Sequence, residues 1–268
     1  MKKINKSWDL RGKEFTSTVA AFKKVATKYF ELQIQDYLSY IDWNPQLFIG
    51  VSENSENEIN QVEVLLDKMK KISAEELETI VEEFVNVHVT WYVAGQNFSE
   101  KKAQSEIPVW VSFDIDNSEA ISWAKVHAWE MIRYIDETTQ KEISKIISDS
   151  IENWNSVDLL KTKIYTKFWK YNETRAALIA QQEISIAFAQ GKRIQYEKYS
   201  NYFNTVWWKR NMDQWDSAVR DSHEENTLEG WIPADQAFKA TQTQDEPHWF
   251  YCRCYVDRRL TNPDEDPL

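Results

Sequence analysis

The sequence predicts an α+β fold that is mainly helical: long N-terminal helices followed by a compact C-terminal unit holding a small antiparallel sheet. Glycine and proline are scarce, 5 and 6 in 268 residues, which favours long helices over chains of tight hairpins. Apolar side chains make up 42% of the chain, with 14% aromatic and 13 Trp, enough for a sizeable core. They recur at three- and four-residue intervals through most of the chain, the period of an amphipathic helix. The better strand candidates, 231–233 and 251–256, fall late and are expected to pair with each other.

Residues Glu14 to Tyr40 read as one long amphipathic helix, with Phe15, Val19, Phe22, Ala26 and Tyr29 on one stripe. Trp43-Asn44-Pro45 ends it, because proline disfavours helix in the residue before it. After Gly50 and a polar loop, a second helix carries Ile59, Val62, Leu66 and Met69. Ser73-Ala74-Glu75-Glu76 is a capping box that satisfies free amide hydrogens at the start of a third helix, striped by Leu77, Ile80, Val81 and Phe84. Val85, Val87, Val89 and Trp91 alternate as in a strand, yet they continue that stripe with no turn signal, so helix and strand both stand. Pro108 to Phe113 is a short extended run. Asn117-Ser118-Glu119 opens another helix, its acidic first turn suited to the helix dipole, with Ile121, Trp129, Ile132 and Ile135 on its apolar side. A separate amphipathic helix covers about Thr138 to Trp154, and Asn155-Ser156 starts the next.

In the helix from Glu173 to Gln190, the residues Ala176, Ile179, Ala180, Glu183 and Ala187 share a face, and Gly191 suits the position just past the helix end. Glu183 is then a carboxylate on the packed side of its helix, where a charge needs a partner. Arg175 and Arg220 are the candidates for a structural ion pair. A general base beside a metal-bound water is the catalytic alternative.

Both cysteines fall in one stretch. It opens with Asp216, Val219, Arg220 and His223, spaced D-x-x-V-R-x-x-H, turns at Leu228-Glu229-Gly230, and closes on Pro247 to Val256. A disulfide between Cys252 and Cys254 would close a small, strained ring. On an extended segment, side chains two residues apart point the same way, so both sulfurs face one point. His223 as a third ligand and Asp216 as a fourth, with His248 as its alternative, complete a donor set that suits tetrahedral zinc in a structural role. Two buried thiols acting as small apolar residues are the other reading, since C-x-C is less diagnostic than paired C-x-x-C. A helix through this segment would place Asp216, Arg220 and His223 on one face.

These residues resemble the head-morphogenesis domain of the phage Mu F-like minor head proteins. The family's helix reading R-A-x-x-I-A-x-x-E, then Ala and Gly, is matched by Arg175, Ala176, Ile179, Ala180, Glu183, Ala187 and Gly191. The D-x-x-V-R-x-x-H segment, a Gly-containing turn and a C-R-C ahead of a short apolar strand follow in order. Upstream, Ile135 to Thr139 with Ile143, Ile146 and Ile147 resembles the helix that precedes this unit. Two positions depart from the pattern: Gln181-Gln182 stands where the family has Arg-Thr, and Trp249-Phe250-Tyr251 replaces a usual Gly. The resemblance divides the chain into an N-terminal helical region, 1–114, a head-morphogenesis domain, 115–260, and an acidic tail, 261–268. It implies a non-enzymatic minor head protein of a tailed phage or prophage, made in the host cytoplasm and placed in the capsid interior near the portal vertex. Its implied partners are the portal and major capsid proteins, and its work is head assembly and genome handling or ejection.

Net charge is −11, which argues against DNA binding over the whole surface. Between Asp158 and Arg210, however, ten Lys or Arg stand against four Asp or Glu, among many aromatic rings. Lys161, Lys163, Lys167, Lys170, Lys192, Arg193, Lys209 and Arg210 are the candidate contacts to packaged double-stranded DNA, by phosphate neutralisation and stacking. A helical core with a solvated basic face is the plainer reading. A hydrolase or nuclease on a His-Cys-Cys zinc site, and a simple DNA-binding protein, are the functional alternatives. No apolar segment follows Met1 to Lys6 and no run of 18 apolar residues occurs, so neither a signal peptide nor a membrane span is expected. Two cysteines without an export signal suggest a reducing site of synthesis.

Overall fold

A computed structural model describes residues 13–48, 72, 74–106, 117–153, 156–213, 219–244 and 254–262. They form a mainly helical α+β protein, as the scarcity of helix breakers predicts. Four long helices come first: α1 (Lys13–Trp43), α2 (Ala74–Glu106), α3 (Asn117–Glu152) and α4 (Val157–Phe203). A short 3₁₀ turn, Pro45–Phe48, follows α1. Then come β1 (Val206–Met212), the short α5 (Asp221–Leu228), β2 (Ile232–Pro233) and β3 (Tyr255–Thr261). Among the described residues, no helix is long and apolar enough to cross a membrane. The second predicted helix (Ile59 to Met69), the capping Ser73 and the run Pro108–Phe113 lie outside the described residues.

Several predicted boundaries give way to longer helices. Residues 85–92 are helical, and the Thr90 hydroxyl donates to the Asn86 carbonyl one turn back at 2.8 Å. The two helices expected around Thr138 are one: its hydroxyl donates to the Tyr134 carbonyl at 2.8 Å instead of capping a new start. On α3 the buried face is built from Ala120, Ala124, Ala128, Met131, Ile132 and Ile135, while Ile121 and Trp129 are exposed. Ile132 and Ile135 thus face inward as expected, and Ala120, Ala124, Ala128 and Met131 complete the face in place of Ile121 and Trp129. Helix α4 starts at Ser156, whose side-chain oxygen accepts the Leu159 amide at 3.3 Å. It runs through Gly191 and stops at Asn204, which takes a left-handed conformation (φ 50°), with the Thr205 amide returning to the Ser200 carbonyl.

Chain packing forms two compact units, and they do not follow the 1–114 and 115–260 division. One comprises Met1–Ala20, Val85–Ala124 and Leu178–Leu268; the other comprises Ala21–Phe84 and Lys125–Ala177. The second unit is helical in its described parts. Its core joins Ile34, Tyr37, Ile41 and Phe48 to Ile143, Ile147, Leu160, Ile164 and Phe168. Beside this core the Asp136 carboxylate accepts from Tyr29 and Gln33, and burial together with Asp136 drives the Tyr29 phenol well above its ordinary pKa.

The first unit holds the sheet. Strand order is β2-β1-β3, all antiparallel, with β1 central: Trp208 faces Pro233 on one side and Arg259 on the other. Of the two predicted strand regions, Ile232–Pro233 and Tyr255–Val256 are in the sheet, and each pairs with β1 and not with the other. In β3, Val256, Arg258 and Leu260 alternate inward. The outer edge of β3 is closed by side chains from α2 and α4. Lys192 donates to the Val256 carbonyl (2.8 Å), Lys102 and Tyr196 donate to the Arg258 carbonyl (2.6 and 3.1 Å), and Glu106 accepts the Leu260 amide (3.1 Å). Lys102 and Arg210 also pair with Asp257. Burial raises the Asp257 carboxyl pKa, but Lys102, Lys192 and Arg210 outweigh it and hold the group below the usual carboxylate range.

Within this unit α2 and α4 run side by side in the same direction. A Cβ on Gly95 would run into the Phe188 carbonyl oxygen, and one on Gly191 into that of Tyr92. The glycines are required here because two helix backbones touch. Gly191 is therefore a crossing residue, and the helix-ending role expected of it belongs to Asn204.

Candidate metal centre and the helical signature

The site begins on β1. Buried Asn211 uses its side-chain amide to hold the His223 carbonyl and the Thr227 hydroxyl, both at 2.9 Å, which fixes α5 against the sheet. Asp221 and Glu224 supply the acidic first turn of α5. Asn226 binds the following loop through the Thr241 hydroxyl (2.7 Å) and the Ala240 amide (3.2 Å). Helix α5 ends where Gly230 adopts φ +78°, the turn expected at Leu228-Glu229-Gly230. Loop residue Phe238 is buried with Ile232 and Val256 in a small core under the sheet.

This frame points the His223 ring inward, 2% exposed, to meet Cys254, 5% exposed, at the residue just before β3. His223 Nδ1 lies 3.3 Å from Cys254 Sγ. Two such donors on a tetrahedral zinc stand about 3.5 Å apart, given bonds of about 2.0 Å to nitrogen and 2.3 Å to sulfur. The pair therefore fits two adjacent corners of a zinc site, and it equally fits a thiol–imidazole hydrogen bond. Cys252, Asp216 and His248, the remaining predicted ligands, lie outside the described residues. Arg220 does not share the His223 face: it is the extended residue before α5 (φ −77°, ψ 145°) and its side chain is exposed.

Ala176, Ile179, Ala180, Glu183 and Ala187 all face inward on α4, as their spacing predicts. The partner of Glu183 is a residue the sequence reading passed over. Its carboxylate lies 3.1 Å from Nε2 of His88 on α2, and Trp123 packs edge-on to that imidazole at 5.9 Å. Arg175 stands more than two turns away along α4 and directs its guanidinium to the Thr139 hydroxyl and the Ile135 carbonyl, above the Phe30 ring. The expected Glu183–Arg175–Arg220 cluster is thereby replaced by a group of His88, Glu183 and the half-buried His127, whose donor atoms lie within 4.8 Å of one another and could hold a metal ion. The available signal was the stripe Phe84, His88, Tyr92, Gly95, a histidine at core spacing within an apolar helix face.

The basic stretch is corrected in part. Lys192 (4% exposed) and Lys209 (1% exposed) are interior residues and not DNA contacts. Lys192 binds the Val256 carbonyl amid the rings of Phe98, Phe188 and Tyr255, while Lys209 binds Gln244 over the Phe238 ring. Arg193 pairs with Glu197, Arg210 with Asp257 over the Trp231 ring, Lys161 with Asp42, and Lys167 with Glu142. Lys163 is half-buried; the Lys170 side chain lies outside the description. An open cavity of about 690 Å³ lies beside the start of β1, lined in part by Arg193, Glu197, Trp207, Trp208, Asp235 and Gln244. Compared with models of known families, with curated proteins and with solved structures, the chain matches none of them.

Proposed function

We propose that the chain is a structural component of a tailed-phage or prophage particle, a minor head protein whose C-terminal module is fastened by a zinc ion. The observation that carries the proposal is the buried meeting of His223 and Cys254, two members of the motif on which the Mu F-like resemblance rests. In this reading His223, Cys252 and Cys254 hold the metal with Asp216 or His248 as the fourth donor. The metal supplies folding energy to a short helix, a loop and a three-stranded sheet that bury little core by themselves. The depth of both described donors supports a structural site over a hydrolytic one, which keeps a position open to water and substrate.

The long helices offer packing surfaces to the portal and major capsid proteins. Packaged double-stranded DNA, where it is met, is met by Lys161, Lys163 and Lys167, since Lys192 and Lys209 are buried, Arg193 is held by Gln190 and Glu197, and Arg210 lies between Asp257 and the Trp231 ring. Mass spectrometry and cross-linking of purified particles test the assignment: the chain is expected at low copy, cross-linked to the portal. A particle preparation that lacks it, from cells that make it, overturns the assignment. Elemental analysis of the purified chain tests the metal separately, with one zinc per chain expected.

A further inference from the structure

Three polar side chains in the first unit are wholly enclosed and unmatched. Gln96 and Ser99 on α2 and Gln195 on α4 each have no solvent exposure. Both amide atoms of each glutamine and the Ser99 hydroxyl have no hydrogen-bond partner among the described residues. Serine and threonine hydroxyls within helices ordinarily bond the carbonyl one turn back. In this protein Thr79, Thr90, Thr138, Thr162 and Ser185 do so, and Ser99 does not. Its hydroxyl is directed elsewhere.

The packing of α2 on α4 brings the three together. Phe98 lies against Phe188 and Lys192, and a Cβ on Gly191 would stand 3.1 Å from the backbone nitrogen of Gln96. The helices advance in parallel from the Gly95–Gly191 contact. One turn beyond it, Ser99 on α2 and Gln195 on α4 therefore arrive at the same level, with Gln96 just before them. Ala103, Tyr196 and Tyr199 close the next level with Leu260.

A buried amide left unsatisfied is strongly destabilising, and several together would rival the net stability of a domain. The unmatched atoms are two amide donors, two carbonyl acceptors and one hydroxyl, a set without formal charge. A guest that satisfies them must donate and accept alike, carry no charge, and pass between helices whose backbones touch. We infer that Gln96, Ser99 and Gln195 form an internal hydration site, where ordered water joins α2 to α4 beyond their glycine contact. Water meets each requirement, making two to four hydrogen bonds in a small polar enclosure. This inference is independent of the particle assignment and of the zinc site.

High-resolution crystallography of the full chain reads it directly. Ordered water within hydrogen-bonding distance of the Gln96 and Gln195 amides is expected; a direct Gln96–Gln195 amide pair with no water between them overturns the proposal. In solution, rotating-frame cross-peaks between water and the two side-chain NH₂ groups are expected. The Gln195→Met variant, close in volume and compatible with helix, keeps its circular dichroism and loses the water cross-peak at Gln96. A folded variant that keeps that cross-peak at full intensity sinks the idea. Should Gln195→Met fail to fold, Ser99→Ala is read in the same way, by weakened cross-peaks to both glutamines.

Discussion

At the His223–Cys254 contact one atom distinguishes a metal ligand from a packed thiol. If the proposed zinc is held here, Cys254→Ser abolishes stoichiometric zinc in elemental analysis and lowers the melting temperature by more than about 10 °C, because metal binding is then part of the folding free energy. A thiol–imidazole hydrogen bond alone would be worth only about 1 kcal/mol, a few degrees. At the other buried contact, Glu183→Ala leaves the His88 ring enclosed without its carboxylate partner and is expected to cost about 1–3 kcal/mol, read as a lower denaturation midpoint in urea. Acid acts on β3 through two carboxylates whose pKa values are shifted in opposite directions. Asp257 is held below the usual range, so its contribution is present above the unfolded-state pKa and is lost as pH falls through the folded value. Burial raises Glu106, so its ionisation opposes folding as pH climbs past the ordinary carboxylate range. Stability measured against pH should therefore lose part of its acid-side slope in Asp257→Asn, and Glu106→Gln should be neutral or stabilising at pH 7. Residue chemistry was legible where the side chain is rare: two cysteines in 268 residues drew attention to His223 and Cys254. His88 was not, because one imidazole in an apolar stripe carries no mark of the carboxylate it meets across another helix.

Among the elements, the crossing of α2 and α4 gives the sharpest test of what a glycine does. Gly191→Ala and Gly95→Ala each push a methyl into a facing backbone carbonyl, which cannot yield as a flexible side chain can. Each is expected to destabilise by about 3 kcal/mol or more, the upper range for overpacking. Gly230→Ala meets open space and costs only the strain of its positive φ, about 1 kcal/mol. Chemical denaturation of the three variants orders them. A helix-ending role for Gly191 would predict the small value for that residue as well. Helix interiors were readable from periodicity: Phe22, Ala26, Tyr29, Ile80, Val81 and Phe84 are all buried as their stripes predict. Ends were less readable, because Gly191 and Thr138 look like punctuation in a sequence and are interior positions once a second helix is supplied. The sheet shows the same limit. Strand character was visible near Ile232 and Val256, yet pairing through β1 depends on contacts that no local pattern records.

For the molecule as a whole, charge is a poorer guide than placement. The excess of basic residues between Asp158 and Arg210 suggests a nucleic-acid surface, but Lys192 and Lys209 are interior and others are joined to acids. Binding to duplex DNA, followed by fluorescence anisotropy across salt concentrations, is expected to be weak, with a log–log slope shallower than about −4. A slope near −8 would mean that the whole basic set reaches phosphate. The division into two compact units, each assembled from separated stretches, was likewise hidden in the sequence, since a composition shift along the chain cannot reveal a helix shared out by packing. Fold class was legible because it depends on breaker content and period alone. One consequence reaches beyond the single chain. Because Lys102, Lys192, Tyr196 and Glu106 engage the outward carbonyls of Val256 and Arg258 and the outward amide of Leu260, this rim offers no template for a neighbour's main chain. Crowded copies are thereby kept from zipping into fibrils along β3, and whatever recognises this margin must read side chains.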